Sequence, residues 1–600
     1  MDMQILLNHV GFDSRSVKRA IIRGAQADVE PKCDLDFRVV EVEHGGVRFV
    51  GKALYSGPVA RWKEWVFWVL DFSALTDEGR FFVEIPRPAA PVLRSEPFEI
   101  GERLLERRTV PAVLNYFRSQ HCAGVLDEAD RNLGFFGDRA DRVDVHGGWY
   151  DASGDKSKYL SHLSYANFMN PQQTPLVVWC LLEAGRLLLP PAADPAHSNM
   201  NASAGMPDAM VEEAVYGADF LVRMQDPAGY FYMTVFDGWS KDPKRREICA
   251  YRTQNGTKRE DYQAAYRQGG GLAVAALARS STAGKGGEYG RKHYLRAAER
   301  GFDHLEQHNT RYLDDGRENI IDEYCALLAA TELYRATRIH RTADPHRFLN
   351  AARGRAEELT TSLCRDGRYC GWWRADKNGS RPFFHASDAG LPVICLLRYA
   401  DVEPDKSLRR QALEAVRRSL EFELALTAEV PNPFGYARQY VCSPGQEKHT
   451  AFFFPHENES GYWWQGENAR LASLSAAAAA AAVVFREDRR LRRRLETYAL
   501  DQLNWILGCN PFDVCMLHGF GRNNPEYETG FPNAYGGICN GITAGINDER
   551  DIDFLPIPHA EQGEHRWRWS EQWIPHAAWY LLAACTSQRS ASSRSAIPCA

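Results

Sequence analysis

Apolar and polar positions alternate along roughly the first hundred residues of the chain. The segment "DFRVVEVEHGGVRFVGKALYSG" alternates Val40 and Val42 with glutamates, and glycine or acidic turns separate it from "WVFWVLDF" and "RFFVEIP". A period of two over short segments is typical of strands that bury one face. The pattern therefore predicts an immunoglobulin-like β-sandwich over residues 1–103.

After this region the apolar spacing becomes helical. The segment "ENIIDEYCALLAATELYRAT" repeats apolar positions at intervals near 3.6, among them Ile320, Tyr324 and Leu327. A second segment, "LASLSAAAAAAAVVF", contains so much alanine that we expect a helix buried on most sides. We predict twelve helices, which begin near residues 103, 173, 209, 261, 291, 318, 346, 384, 405, 461, 487 and 571.

Twelve helices in one continuous domain fit a barrel of six inner and six outer helices, and no short repeat indicates a solenoid. The fold prediction is therefore mainly α: an (α/α)6 barrel over residues 104–588, preceded by the small all-β sandwich. Residues 589–600 are small and polar, so we predict a disordered tail there. The long segments between helices hold most Trp, Tyr, His and Asp residues, and we expect them to build one functional face.

Composition and charge exclude several classes of partner. The formal net charge is −6 and cationic residues are interspersed with acidic ones, so nucleic acid is not expected. No apolar run reaches the length of a membrane span, and the start "MDMQILLNHVGF" has no signal-peptide pattern. The 14 cysteines are scattered without a C-x-x-C pair, which is typical of reduced thiols. We therefore predict a cytoplasmic protein without a membrane partner.

One glycine-rich segment carries the candidate chemistry. In "HGGWYDASGDKSKYL", Asp151 and Asp155 lie four positions apart, and Trp149 and Tyr150 precede them. An isolated pair of aspartates at this spacing is most often ordinary loop structure. Here two glycines permit a tight turn, and the aromatic rings offer faces on which a sugar can stack. The segment therefore predicts a carbohydrate site.

The same segment resembles the GGW-x-DAGD-x-x-KY signature of glycoside hydrolase family 9. The resemblance implies that Asp155 is the general base and that Asp151 helps to hold the attacking water. This sequence reads Asp-Ala-Ser-Gly-Asp where the family usually has Asp-Ala-Gly-Asp, so the additional residue could turn Asp151 toward the sugar. An immunoglobulin-like domain before an (α/α)6 barrel is also the layout of a large branch of that family, and "LGCNPFDVCMLHGFGRNNP" resembles one of its loops.

The segment "WRWSEQWIPHAAWYLLA" resembles the part of family 9 that carries the general acid. It has Glu571 at the position of the family's glutamate, with Trp569 and Trp573 on either side. Apolar neighbours disfavour the ionised form of a carboxyl, so we expect the pKa of Glu571 to be raised. The resemblance implies inversion at the anomeric centre, for which the Asp155 and Glu571 carboxyls should lie about 6.5–9.5 Å apart around a water.

The sequence favours an amino sugar over cellulose. Cellulose-cleaving members usually carry a His-His-Arg cluster that "EYETGFPNAYGGICNGITAG" lacks. Several local segments resemble the bacterial exo-β-D-glucosaminidases of the family, which implies release of glucosamine from the non-reducing end of short chitosan oligosaccharides. A carboxylate would stabilise the substrate ammonium group, and Asp151 is the first candidate and Glu323 a weaker one. Further candidates for sugar binding are Trp464, Trp569 and Trp573.

Two alternatives remain open. The first keeps the fold and the catalytic residues but makes the substrate a short β-1,4-glucan, as for a cellodextrinase or an endoglucanase. The second is a sugar-binding or regulatory protein without turnover, which the presence of both Asp155 and Glu571 disfavours. No residue set in the sequence predicts a metal ion or another cofactor, because the cluster in "FPHENES" lacks the spacing of metal ligands.

Overall fold

The computed structural model shows an all-β N-terminal part followed by a helical part. It describes residues 3–25, 33–87, 91–162, 165–189, 205–252, 255–342, 344–377, 379–461, 466–556 and 567–592. The cysteines in these ranges are free thiols, most of them buried. None of the helices in the same ranges combines the length and the apolar character that a bilayer crossing requires.

Nine strands of the described chain form the N-terminal sandwich. They are β1 (Gln4–Leu6), β2 (Phe12–Asp13), β3 (Arg19–Ala25), β4 (Leu35–Glu41), β5 (Val47–Pro58), β6 (Trp65–Asp71), β7 (Gly79–Ile85), β8 (Leu93–Arg94) and β9 (Phe98–Gly101). Along the hydrogen-bonded ladder the order is β1-β3-β6-β5-β4-β7-β9-β2, with β8 beside β7. The two end strands, β1 and β2, are neighbours in the chain, so the ladder must fold over on itself.

Alternating burial explains why these segments form a sandwich. Phe37 and Val39 of β4 are fully buried, as is Val83 of β7, and Val39 pairs directly with Val83 across the ladder. Together with Trp68 of β6 they belong to an apolar core separate from that of the barrel. The predicted immunoglobulin-like sandwich is confirmed.

The helical part contains twelve long helices and two short ones within the described ranges. They are α1 (Leu104–Ser119), α2 (Gly124–Asp130), α3 (Thr174–Leu188), α4 (Met206–Arg223), α5 (Gly271–Ser280), α6 (Arg291–His308), α7 (Ile320–His340), α8 (His346–Thr361), α9 (Leu391–Val402), α10 (Lys406–Thr427), α11 (Glu467–Val484), α12 (Arg489–Ile506), α13 (Trp567–Ser570) and α14 (Ile574–Ser592). The loops add β10 (Lys158–Tyr159), β11 (Phe231–Tyr232), β12 (Thr234–Phe236), β13 (Glu247–Arg252), β14 (Thr257–Arg259), β15 (Gln263–Ala264), β16 (Leu363–Asp366), β17 (Tyr369–Trp373), β18 (Gln439–Val441), β19 (His449–Ala451), β20 (Thr543–Ala544) and β21 (Ile552–Asp553).

Six inner helices close into a ring. Helix α3 packs on α5, α5 on α7, α7 on α9, α9 on α11 and α11 on α14, and α14 returns to α3. Burial follows this arrangement: the alanine-rich α11 is buried on nearly every turn, whereas α10, outside the ring, has one buried and one charged face. The predicted (α/α)6 barrel is confirmed. Because inner and outer helices alternate along the chain, the inner helices all begin at the same end of the barrel, here called the mouth.

Helix α5 begins later than the sequence predicts. The expected start is near residue 261, but the helix begins at Gly271 because residues Tyr266–Gly270 form a π-helical turn. Gly269 has a φ of +98° in this turn, and a Cβ there would lie 2.4 Å from the Cβ of Leu160. The chain therefore needs a glycine at this point, where it approaches the loop that carries the site.

Three other boundaries differ from the sequence prediction by four residues or more. Helix α11 begins at Glu467 rather than near residue 461. Helix α9 begins at Leu391 because residues 384–390 are bent rather than helical. Helix α14 extends to Ser592, four residues into the predicted tail (592 minus 588), and residues 593–600 lie outside the described residues.

Polar and aromatic contacts hold the sandwich against the barrel. Arg19 of β3 pairs with Asp501 of α12, and both side chains are largely buried. The ring of Trp62 lies 4.8 Å from the ring of Phe452, which belongs to a loop of the barrel. The two parts therefore share an interface.

Candidate active site

The glycine-rich segment forms a tight turn at the mouth of the barrel. Gly147 and Gly148 have φ angles of +76° and +73°, which residues with a side chain rarely adopt. The backbone N–H of Asp151 donates to the carbonyl of Ser157 over 3.1 Å and closes the turn. Asp151 and Asp155 therefore lie on one compact unit, as the sequence predicts.

Three donors orient the Asp155 carboxylate. The Tyr159 hydroxyl donates to Oδ2 over 2.6 Å, and the Trp239 indole N–H donates to the same oxygen over 3.1 Å. The backbone N–H of Ser157 donates to Oδ1 over 2.8 Å. A carboxylate with donors on both oxygens is fixed in orientation and still has lone pairs for a further donor such as water.

Glu571 lies against the same turn, although it is 416 positions from Asp155 in the chain (571 minus 155). The backbone N–H of Gly154 donates to Oε1 over 3.0 Å, and the Trp573 indole N–H donates to Oε2 over 2.7 Å. A Cβ on Gly154 would lie 2.6 Å from Oε1, so this close approach requires a glycine. The closed ring of helices thus brings the two predicted catalytic carboxyls to one site.

Burial raises the pKa of Glu571 to about 8. The hydrogen bond from Trp573 opposes this rise in pKa, and the negative charge of Asp155 adds to it. No cationic side chain of the described chain forms an ion pair with Glu571. Glu571 is therefore protonated at neutral pH, as a general acid must be, in agreement with the expectation from its sequence neighbours.

Asp151 is the more deeply buried aspartate of the turn, 1% exposed against 6% for Asp155. Its Oδ2 lies 3.2 Å from His162 Nε2, and neither carboxylate oxygen receives a well-aligned hydrogen bond from a described residue. His162 Nδ1 lies 2.6 Å from the Tyr251 hydroxyl, and when Nδ1 accepts that hydroxyl proton, Nε2–H faces Asp151. Burial raises the pKa of Asp151, and the nearby His162 lowers it.

The predicted sugar-stacking residues divide into two groups. Trp573 is at the site, where its ring lies 5.1 Å from that of His162, and Tyr150 is half-buried at the rim. Trp149 and Trp569 are fully buried, so neither has a ring face available to a sugar. The prediction that these two rings bind substrate is wrong.

Glu323 is also not part of this site. It is buried near the start of α7, where its carboxylate lies 3.3 Å from Arg355 and 3.4 Å from Lys377. The prediction that it meets a substrate amine is wrong because the side chain is buried and lies beside these two cations. Trp464 lies outside the described residues.

Sequence reasoning missed two residues that contact the predicted aspartates. Trp239, between β12 and β13, donates to Asp155, and His162 faces Asp151. His162 follows the glycine-rich segment by two residues, and this position in the chain is the signal that could have indicated a role at the site. Trp239 lies in the aromatic loop "VFDGWSKDPKRR", about 85 residues from Asp155, and no periodicity in that loop indicates which atom it would contact.

One group of described residues has the spacing of a metal site. Candidate ligand atoms of Asp151, Asp155 and His162 lie within 4.8 Å of one another. Asp155 already accepts three hydrogen bonds, and an imidazole N–H that faces a carboxylate has no lone pair for a metal. The geometry fits hydrogen bonding between these groups, and the absence of a metal stays a prediction.

Comparison with known proteins identifies the family of this chain. The profile of "Glycosyl hydrolase family 9" matches residues 109–528, and that of "Cellulase N-terminal ig-like domain" matches residues 1–89. The first match covers well over half of the chain. The chain belongs to glycosyl hydrolase family 9. It is accordingly a glycoside hydrolase of a family that inverts the anomeric centre.

Solved structures of family 9 proteins are similar over nearly the whole chain. A metagenome-derived glycoside hydrolase family 9 endoglucanase is 19% identical with a TM-score of 0.62, and Bacteroides ovatus GH9 is 18% identical with a TM-score of 0.64. A single-mutant thermostable endoglucanase from Alicyclobacillus acidocaldarius is 17% identical with a TM-score of 0.61. Each alignment covers 98% of this chain and 99% of the other. No curated protein matches at a significant level.

The family 9 match includes Asp151 and Asp155 but ends at residue 528, before Glu571. The assignment of Glu571 therefore depends on geometry, above all on the hydrogen bond from Gly154 that joins it to the turn.

Proposed function

We propose that this protein hydrolyses short β-1,4-linked oligosaccharides, with Asp155 as the general base and Glu571 as the general acid. The observation that carries the proposal is the contact between Gly154 and Glu571, because it brings the acid to the turn that holds the base. Asp155 takes a proton from the attacking water, and Glu571 protonates the departing glycosidic oxygen.

The surroundings of the two carboxyls support this division of roles. Asp155 accepts hydrogen bonds from Tyr159, Trp239 and Ser157, which hold its lone pairs in a fixed direction. Glu571 has a pKa raised to about 8 by burial, so it carries the proton that it must donate. Two carboxyls whose environments differ in this way are typical of acid and base in glycoside hydrolysis.

For the sugar, the first candidate is glucosamine, released from the non-reducing end of short chitosan oligosaccharides. Asp151 supports it, because this buried carboxylate keeps oxygens without a well-aligned hydrogen bond from a described residue. A substrate ammonium would donate to these oxygens and add a positive charge beside the carboxylate. In this proposal Asp151 binds the amino group rather than the attacking water, and the enzyme works on imported oligomers in the cytoplasm.

The second candidate is a short β-1,4-glucan, which would make the protein a cellodextrinase or an endoglucanase. The names of the similar solved structures support it, since two of the three reported above are endoglucanases. The comparisons favour this candidate over glucosamine. Both candidates use the same Asp155 and Glu571, so the two differ only in the sugar.

Product analysis on glucosamine disaccharide and cellobiose, side by side, tests the proposal. We expect one monosaccharide product, first released as the α-anomer in proton NMR, and no turnover by Asp155→Ala or Glu571→Ala. Glu43→Ala, which changes an exposed glutamate of the sandwich, is the matched control. Glucose from cellobiose alone would reject the role of Asp151 as an amine ligand. Turnover that survives in both alanine variants would reject the catalytic assignment.

A further inference from the structure

Two lysines at the rim of the active site have no carboxylate partner among the described residues. Lys156 directly follows Asp155, and its ammonium lies 4.8 Å from the ring centre of Tyr150 and 5.8 Å from that of Phe531. The ammonium of Lys241 lies 3.8 Å from the same Phe531 ring. Among the described residues, neither ammonium forms an ion pair or a hydrogen bond. Both cations therefore contact aromatic faces only.

The two lysines are near the catalytic carboxyls. Burial is the largest effect on the pKa of Lys156 and lowers it. Among the charged neighbours, Asp155 and Glu571 raise this pKa and Lys241 lowers it. Lys156, Lys241 and Phe531 are all half-buried, so they form part of the rim rather than the open surface. Burial disfavours the charged form of a lysine, so an anion beside these ammonium groups would stabilise them.

The backbone fixes Lys241 in this position. Lys241 has a φ of +60° and Trp239, two residues earlier, has a φ of +57°. Such angles are uncommon for residues with a side chain and are retained where the surrounding structure imposes them. Ser240 Oγ–H donates to the carbonyl of Asp237 over 2.7 Å and holds the loop between them. The same strained loop presents Trp239 to Asp155 and Lys241 to the rim.

We infer that Lys156 and Lys241 form a binding site for an anionic substituent on the substrate, a carboxylate or a phosphate ester on a sugar next to the scissile bond. Such a group would supply the anion that both ammonium groups lack among the described residues. The two lysines disfavour the ammonium of a glucosamine unit at this position, so the inference goes with the second candidate of the proposed function, a β-1,4-glucan backbone. The inference rests on the proposed function, because it concerns the substrate that Asp155 and Glu571 hydrolyse.

The test uses whichever disaccharide backbone the enzyme cleaves. Its neutral form is compared with forms that carry a carboxylate or a phosphate ester at C6 of either sugar. We expect kcat/KM for at least one anionic form to exceed that of the neutral form about tenfold. Lys156→Gln and Lys241→Gln should each bring this ratio close to one, whereas Lys241→Arg should largely preserve it. Lys292→Gln, at an exposed lysine of α6, is the matched control.

Comparing kcat/KM for the carboxylate and phosphate-ester forms identifies which anionic group the two lysines bind. A ratio at or below one for every anionic form would overturn the inference, as would a high ratio that survives in both glutamine variants. Calorimetry on Glu571→Gln protein adds a readout that needs no turnover. The dissociation constant of the anionic form should rise with salt concentration and that of the neutral form should not. If no disaccharide is hydrolysed the proposed function fails, and calorimetry still tests the anion site.

Discussion

Glu571 at the mouth of the barrel and two glutamates near its far end are all buried, but they have opposite partners. At the far end, where the inner helices finish, Glu183 and Glu332 lie among Arg186, Arg279 and Arg398. Although burial raises the pKa of both glutamates, the arginines outweigh it and hold each pKa below its ordinary value. A cavity of about 1080 Å³ opens beside this arginine cluster, away from the catalytic carboxyls.

At the mouth the same degree of burial has the opposite result. Glu571 receives N–H groups instead of cations, and its pKa rises to about 8. Asp151 lies 3.2 Å from His162, and burial raises its pKa as well. Burial alone therefore does not determine how these carboxyls titrate: arginines lower the pKa of Glu183 and Glu332, whereas no cation of the described residues pairs with Glu571. The uncompensated carboxyl is the one suited to proton transfer.

The largest expected effect comes from removing the titratable group at the mouth. We expect Glu571→Gln to lower kcat by about 10²–10⁴-fold, because an amide cannot protonate the leaving oxygen. The folded-state pKa of about 8 lies above the ordinary 4.5, so the native protein loses stability as the pH rises from about 5 through 8. Glu571→Gln abolishes that loss and should be more stable than the parent by about 1–3 kcal/mol at pH 9.

Steady-state kinetics and urea unfolding at pH 6 and pH 9 measure both effects of Glu571→Gln. The stabilisation should be larger at pH 9 than at pH 6. Equal destabilisation at the two pH values would mean that Glu571 is ionised and paired with a cation in the native protein. Glu571 would then not differ from the glutamates of the arginine cluster.

At the arginine cluster the same type of substitution should act in the opposite direction. Glu332 Oε1 lies 3.1 Å from Arg279 and 2.8 Å from Arg398, so Glu332→Gln leaves buried cations with one carboxylate fewer. We expect a loss of about 3–5 kcal/mol in the free energy of unfolding, because a buried charge loses its partner. The kcat of the folded variant should stay within about twofold of the parent, since the cluster is remote from the mouth.

Urea unfolding measures this loss, with Glu357→Gln at an exposed position of α8 as the control. If Glu332→Gln were as stable as the parent, the arginines would repel one another less than their burial implies. The carboxylate of Glu332 would then not be needed to stabilise the cluster.

Periodicity was sufficient to predict the sandwich and the ring of helices, and the family resemblance selected two carboxyls that the fold brings to one turn. They failed for the direction in which a side chain points. Trp149 follows two glycines, which indicates a turn, but its ring enters a gap that Gly217 leaves on α4, where a Cβ would lie 2.1 Å from the ring. The surroundings of Glu323 depend on Arg355, which belongs to the next helix of the chain. Such contacts are fixed by tertiary packing and have no local sequence pattern.

The smallest expected effect concerns the hydrogen bond through which Trp573 influences the pKa of Glu571. The Trp573 indole N–H donates to Glu571 Oε2 over 2.7 Å and stabilises the ionised form, so it lowers the pKa that burial raises. Trp573→Phe removes this donor and keeps an aromatic ring, and we expect the alkaline limb of kcat/KM to move upward by up to about one pH unit. Trp372→Phe, in a separate aromatic cluster, is the control. A downward shift would mean that water enters the space left by the indole and solvates the carboxylate, so that exclusion of water, more than the absence of cations, keeps Glu571 protonated.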